Sequence, residues 1–140
     1  MSVLTRKQFL KRSKECLNAE GVHALDMRGL IDNESAGNIN NQDAYHQIKS
    51  IMDGLETVFN KYERLNSPEK CVPLKLKILK SLIVLQEAAS ANYDYVTLKM
   101  EGKLPVDAEI KIRDSKIFLD KFRTIFNPLT TEVETQLTHH

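Results

Sequence analysis

The sequence predicts an all-α fold: a four- to five-helix bundle, mostly antiparallel, with a long buried central helix at about residues 74–101. Two observations lead to this prediction. Apolar residues recur at helical spacing over long stretches, and no convincing β-hairpin signal interrupts them. The length of 140 residues fits one helical-bundle domain, residues 1–140, that buries a core of its own.

The first predicted helix runs from Leu4 to Ala19, with Phe9 and Cys16 on or near one face. We expect Gly21 to end it, because glycine is common just past a helix C-terminus. Residues 22–32 fit one or two further helical turns.

Residues 32–41, DNESAGNINN, are rich in Asn and are predicted to be a long loop. A loop of this length serves as a crossover connection or as a mobile interaction loop.

The strongest periodicity lies between residues 42 and 65, where apolar residues are spaced alternately three and four apart. This spacing is typical of a helix that packs nearly parallel to its neighbours. Asn40 or Asn41 is the predicted N-cap, with Asp43 in the first turn. The residues of this seam are Tyr45, Ile48, Met52, Leu55, Phe59 and Tyr62.

The central helix follows a short turn at residues 67–72 and begins near Pro73 or Leu74. Gly102 and Pro105 supply its C-terminal stop. Apolar residues occur almost all round its first half, which is typical of the most buried element of a bundle.

A further helix is predicted from Val106 to Phe126, ended by Asn127 and Pro128. After it, apolar residues at spacing four predict a short last helix. These residues are Leu129, Val133 and Leu137.

Composition narrows the class of protein. Hydrophobic residues make up 41% and charged residues 28% of the chain, and 20 Lys and Arg against 19 Asp and Glu give a net charge of +1. This balance argues against a dedicated nucleic-acid binder.

We find no signal peptide and no apolar run long enough to cross a membrane, so a cytoplasmic protein is expected. Cys16 and Cys71 are expected to be reduced, buried thiols.

His46 is the first candidate for chemistry. With Lys49 and Ser50 it resembles the local pattern of histidine phosphotransfer domains, which are helical bundles with a solvent-facing His. The resemblance implies phosphoryl transfer through His46, with Lys49 offsetting the phosphate charge. The alternative is a plain surface histidine, favoured by the bulky Ile51 that follows and by Asp53 on the same stripe.

Other catalytic or metal-binding patterns are missing from the sequence. His23, His46, Cys16 and Cys71 are scattered, with no pair spaced to place two ligands on one helical face, so no metal and no cofactor is expected. No Ser or Cys lies in a glycine-flanked turn. The interpretation as an enzyme stays open without a reaction to name. His139 and His140 are interpreted as a flexible tail.

The first helix carries five basic residues before its first acid, Glu15. They predict an anionic partner, which is an acidic protein face, nucleic acid or a membrane surface. An organelle presequence has a similar composition, and a solvated helix face is the simplest alternative. The five residues are Arg6, Lys7, Lys11, Arg12 and Lys14.

The central helix narrows at the run of small residues 88–91, and Asn92 falls on its buried seam. A buried Asn needs hydrogen-bond partners, so it either bonds to a neighbouring helix or lines a small polar pocket. We predict such a pocket at Asn92, Tyr93 and Tyr95, with tight helix packing as the alternative.

These patterns together predict a non-enzymatic helical interaction module, such as an adaptor, chaperone, assembly factor or inhibitor, that binds a protein partner. The central helix has apolar residues around much of its circumference. Surplus apolar surface of this kind is often covered in a homodimer or by a partner.

Overall fold

The computed structural model describes residues 2–103 and 105–139, which form four α-helices and no strand. The predicted all-α bundle is therefore confirmed. No helix within these two ranges is long and apolar enough to cross a membrane. The helices are α1 (Arg6–Ala36), α2 (Asn41–Glu63), α3 (Val72–Met100) and α4 (Pro105–Thr138), with a short 3-10 helix (Glu69–Cys71) before α3.

Helix α1 is much longer than predicted. Gly21 does not end it: the helix continues to Ala36, and Gly37 closes it in the left-handed conformation, with φ 71°. Across this end the amide of Asn38 donates to the carbonyl of Asn33 at 2.9 Å. The cost of glycine inside a helix is only about 1 kcal/mol, and tertiary contacts of the surrounding turns exceed it.

The predicted long loop at residues 32–41 is also wrong. Residues 32–36 are the last turn of α1, and only residues 37–40 connect α1 to α2. Asn40 caps α2 as predicted, since its side chain accepts from the amide of Asp43 at 2.8 Å. The polar composition of this segment therefore reflects an exposed helix end and a cap.

Helix α3 is the most buried element and lies close to its predicted bounds. Residues 67–72 were expected to be a turn, and they include the 3-10 helix. The ammonium of Lys75 donates to the carbonyls of Glu63 and Leu65, both at 2.8 Å, and so ties α3 to the end of α2.

Helix α4 continues through Pro128, so the stop predicted at Asn127 and Pro128 and the separate short helix after it are wrong. Pro128 is exposed and its ring lies on the solvent side. Leu129 and Val133 are buried on the face that begins at Phe122. Burial of these side chains offsets the hydrogen bond that proline cannot donate.

Short connections make consecutive helices antiparallel, and α1 and α3 consequently run parallel across the bundle. Contacts between the termini agree with this order: Lys14 near the start of α1 pairs with Glu134 near the end of α4 at 2.8 Å. All four helices contribute to one hydrophobic cluster.

Replacing Gly29 with Ala is expected to stabilise the protein by about 0.5–1 kcal/mol, because Gly is the weaker helix former. Gly29 is exposed inside α1, and a Cβ added there would meet no atom within 4 Å. Urea unfolding measures the change. Gly37→Ala is the matched control and should destabilise, because its φ of 71° strains an L-residue. A less stable Gly29→Ala protein would contradict the length assigned to α1.

Candidate functional site

An apolar groove with a volume of about 520 Å³ lies between α1 and α4. We call it the α1–α4 groove. Its floor and walls are formed largely by apolar side chains, which is typical of sites that bind apolar ligands or partner side chains. They include Leu17, Val22 and Leu25 from α1 and Leu119, Phe122 and Phe126 from α4.

Gly21 determines how closely the two helices approach in this groove. A Cβ added at Gly21 would lie 3.1 Å from Cζ of Phe126, so a larger residue would push the aromatic ring away. Phe126 in turn stacks on the fully buried Phe122, with ring centroids 4.9 Å apart. The glycine that was expected to end the helix therefore allows the close contact at one end of the groove.

Two side chains of the α1 wall project into solvent. Val22 is 57% exposed and Leu25 is 71% exposed, although both line the groove. The groove is therefore flanked by two apolar side chains that remain in contact with water.

The charged residues of the groove are two arginines, Arg28 on α1 and Arg123 on α4. Neither guanidinium makes an ion pair or hydrogen bond with any residue in the described ranges. A smaller cavity of about 200 Å³ continues the groove, and both arginines line it together with Lys116, Asp32 and Asp120. The groove is therefore apolar at one end and cationic near its middle.

Inside the bundle, the fully buried Glu20 of α1 faces Ser81 of α3. The Ser81 hydroxyl lies 2.9 and 3.1 Å from the two Glu20 oxygens and 2.7 Å from the carbonyl of Ile78. One hydroxyl proton cannot serve three acceptors, so the contacts are satisfied when Glu20 is a neutral acid that donates to Ser81. Burial away from water raises the pKa of Glu20 to about 8, which agrees with this state.

A second buried acid lies farther along α1. Glu34 accepts a hydrogen bond from the side-chain amide of Asn92 on α3 at 2.6 Å. Its other oxygen, Oε2, and Oδ1 of Asn92 are both buried without a partner. A proton on Glu34 would join these two oxygens and complete a two-bond acid–amide pair. Burial raises the pKa of Glu34 to about 7, opposed by the Asn92 hydrogen bond and by Lys99 and Lys116.

The three residues of the predicted pocket occupy different environments. Asn92 is fully buried against Glu34, as expected for an amide that bonds to a neighbouring helix. Tyr93 packs against Tyr45, with ring centroids 5.8 Å apart. Tyr95 is buried and accepts from the ammonium of Lys99 at 3.3 Å. None of the three lines the α1–α4 groove, and the pocket stays a prediction.

His46 is exposed on α2, on the side predicted from the heptad register. The ammonium of Lys49 lies 5.8 Å from the centroid of the Tyr93 ring, so a cation–π contact partly occupies it. His46 lines an open cavity of about 420 Å³ together with Asp43. A carboxylate at this position would repel a phosphorylated imidazole. Phosphotransfer stays a prediction.

All five basic residues of the N-terminal segment are exposed. Lys14 pairs with Glu134, the Arg6 guanidinium donates to Gln136 at 3.3 Å, and Arg12 lies 3.5 Å from Glu15. Lys7 and Lys11 make no ion pair in the described part of the chain. Part of the basic cluster thus joins α1 to the end of α4, and its binding of an anionic partner stays a prediction.

Metal ligands are not brought together. In the ranges 2–103 and 105–139 no three His, Cys, Asp or Glu side chains are placed to hold a metal ion. Cys16 and Cys71 are free and buried, and burial raises the pKa of both thiols. His139 is exposed at the end of α4, and His140 lies outside the described residues.

Sequence reasoning missed Arg28, Arg123 and the buried acids Glu20 and Glu34. Glu20 had a detectable signal, because it lies three residues after Leu17 and seven before Met27, both in the core. The groove had no such signal in the sequence, because α1 and α4 are far apart along the chain.

No family model, curated protein or solved structure matches this chain.

Proposed function

We propose that this chain is a non-enzymatic helical interaction module that binds a partner protein in the α1–α4 groove. The observation that carries the proposal is the groove itself, an apolar hollow whose wall residue Leu25 is 71% exposed. A groove of this size and composition is similar to the surfaces that form the apolar centre of a protein–protein interface. An adaptor, chaperone, assembly factor or inhibitor would use such a surface, and we propose that it does so in the cytoplasm.

The chemistry of the groove favours binding over catalysis. Its lining combines aliphatic and aromatic side chains with Asn18, Asn127 and two guanidiniums, which recognise and orient rather than transfer protons or attack a substrate. The raised pKa values of Glu20 and Glu34 arise in the core, away from this surface, and a structural role explains them.

Leu25→Asp tests the proposal. The side chain is exposed, so the fold should tolerate the change, whereas a carboxylate in a covered apolar interface should weaken binding at least about tenfold. Wild type and variant are immobilised, proteins from cells that make this chain are captured, and each captured partner is purified and titrated directly.

Leu76→Asp is the matched control. Leu76 is 61% exposed on α3 and does not line the groove. We expect a partner that binds wild type and Leu76→Asp equally and Leu25→Asp weakly. Partners that bind all three proteins with equal affinity would contradict the proposal.

Homodimerisation is a separate proposal, supported by an apolar row on the outer face of α4 that includes Val106, Ile110 and Ile117, all exposed. Light scattering after size exclusion should then give a dimer for wild type and a monomer for Ile117→Asp. A wild-type monomer at high concentration would contradict it.

A further inference from the structure

We infer that the occupant of the α1–α4 groove is an amphipathic helix that carries carboxylates beside its apolar face. This inference rests on the proposed function and deepens it, because it names the chemistry by which the partner is recognised. It is drawn from the shape of the groove, the exposure of its wall and the charges at its rim.

The shape fits a helix. The groove and its extension run along α1 from Leu17 to Ile31, which is about 21 Å at the helical rise of 1.5 Å per residue. A partner helix of about 14 residues has this length. Two antiparallel helices such as α1 and α4 present ridges between which a third helix packs, and helix-in-groove binding is a common mode of peptide recognition.

The exposed wall favours a helix over a small amphiphile. A single acyl chain is narrow and would leave much of the exposed surface of Val22 and Leu25, which are 57% and 71% exposed, in water. A helix is about 10 Å wide with its side chains and would cover the hollow and both wall residues together. The apolar area removed from water is therefore larger for the helix.

The charges specify the polar part of the partner. Arg28 and Arg123 come from opposite walls of the groove, and no carboxylate of the described residues pairs with either. Guanidinium groups prefer the planar, two-oxygen geometry of carboxylates. Asp32 and Asp120 line only the extension, which Lys116 and both arginines also line, so three cations there accompany two carboxylates. We therefore place the partner's carboxylates at the middle of the groove and its bulkiest apolar residues near Gly21.

The experiment uses a display library of helical peptides of about 14 residues, with a fixed apolar stripe and random flanking positions. Selection on the full chain should enrich Asp and Glu beside the stripe. Selection on Arg28→Glu/Arg123→Glu should instead enrich Lys and Arg. Changing the conserved acid of a selected peptide to its amide should weaken its binding about tenfold or more.

Two controls locate the binding and check the fold. Selected peptides should fail to bind Leu25→Asp and should still bind Leu76→Asp, and circular dichroism should show that the charge-reversed protein is folded. Arg28 and Arg123 are exposed, so their replacement should leave the core intact.

The remaining outcomes overturn the inference. Peptides that depend on Leu25 but show no preference for acids would refute the acidic partner and leave the proposed function standing. Recovery of no peptide, together with Leu25-dependent binding of dodecanoate, would replace the helix by a small anionic amphiphile. Recovery of neither refutes the helix, while the capture experiment with Leu25→Asp continues to test the proposed function independently.

Discussion

Replacing Glu20 with Gln is expected to stabilise the bundle by about 3 kcal/mol at pH 7. The wild-type acid is fully buried, and burial raises its pKa from 4.5 to about 8. At neutral pH, ionisation of Glu20 lowers the free energy of the unfolded chain. In the folded chain the buried acid stays neutral, so the folded state has no such gain. Gln keeps a donor for Ser81 and has no proton to lose, so this advantage of the unfolded state disappears.

The pH dependence has a definite sign. Between pH 4.5 and about 8 the folded state binds more protons at Glu20 than the unfolded state does, so stability falls as pH rises. The stabilisation that the neutral Glu20 contributes is complete below pH 4.5. It is lost as the pH rises through about 8. Glu34, whose pKa is about 7, acts in the same direction over a narrower range.

Urea unfolding from about pH 5 to about pH 9 measures the effect. Plotted against pH, the free energy of unfolding of Glu20→Gln should lie close to that of wild type at the acidic end. From neutral pH upward it should lie above the wild-type value. Glu15→Gln is the control, because Glu15 is exposed on the same helix and should follow the wild-type curve. Parallel curves for Glu20→Gln and wild type would show that Glu20 ionises normally in the folded protein.

The parts of the fold that sequence predicted are those determined by local periodicity. The seam of α2, its cap at Asn40 and the length of α3 need only residues close in the chain. The errors at Gly21 and Pro128 have one cause: a local helix-stopping residue is overridden by contacts that join distant segments. Gly21 contacts Phe126, and the turns after Pro128 bury Leu129.

The candidate site was less predictable than the fold for the same reason. Its walls come from α1 and α4, and only the folded arrangement brings Arg28 near Arg123. The burial of Asn92 was predictable, because its position on the α3 seam is a local property, and its bond to Glu34 is one of the two arrangements expected for it. Its partner Glu34 lay in a segment whose Asn and Gly content indicated a loop, so the pair itself could not be foreseen.

The pair formed by Glu34 and Asn92 leads to the second large effect. Asn92→Ala is expected to destabilise the protein by about 2–4 kcal/mol, because it leaves a buried carboxyl group without its donor and removes packed atoms. Loss of the Asn92 hydrogen bond, which lowers the pKa of Glu34, should also raise that pKa. The part of the pH dependence that Glu34 contributes should therefore extend to higher pH in the variant than in wild type.

A double-mutant cycle separates the pair from its surroundings. The double variant Glu34→Ala/Asn92→Ala should lose less free energy of unfolding than the two single variants lose together. This is expected because no buried carboxyl group is then left without a partner. Glu34→Gln is the conservative control. Its amide can accept from Asn92 Nδ2 and donate to Asn92 Oδ1, which satisfies the oxygen that wild type leaves unpaired when Glu34 is ionised. This variant should match wild type at low pH and exceed it in stability at about pH 8. Strictly additive costs would show that Glu34 and Asn92 act independently. A Glu34→Gln protein whose stability falls with pH as steeply as that of wild type would show that Glu34 ionises normally in the folded protein.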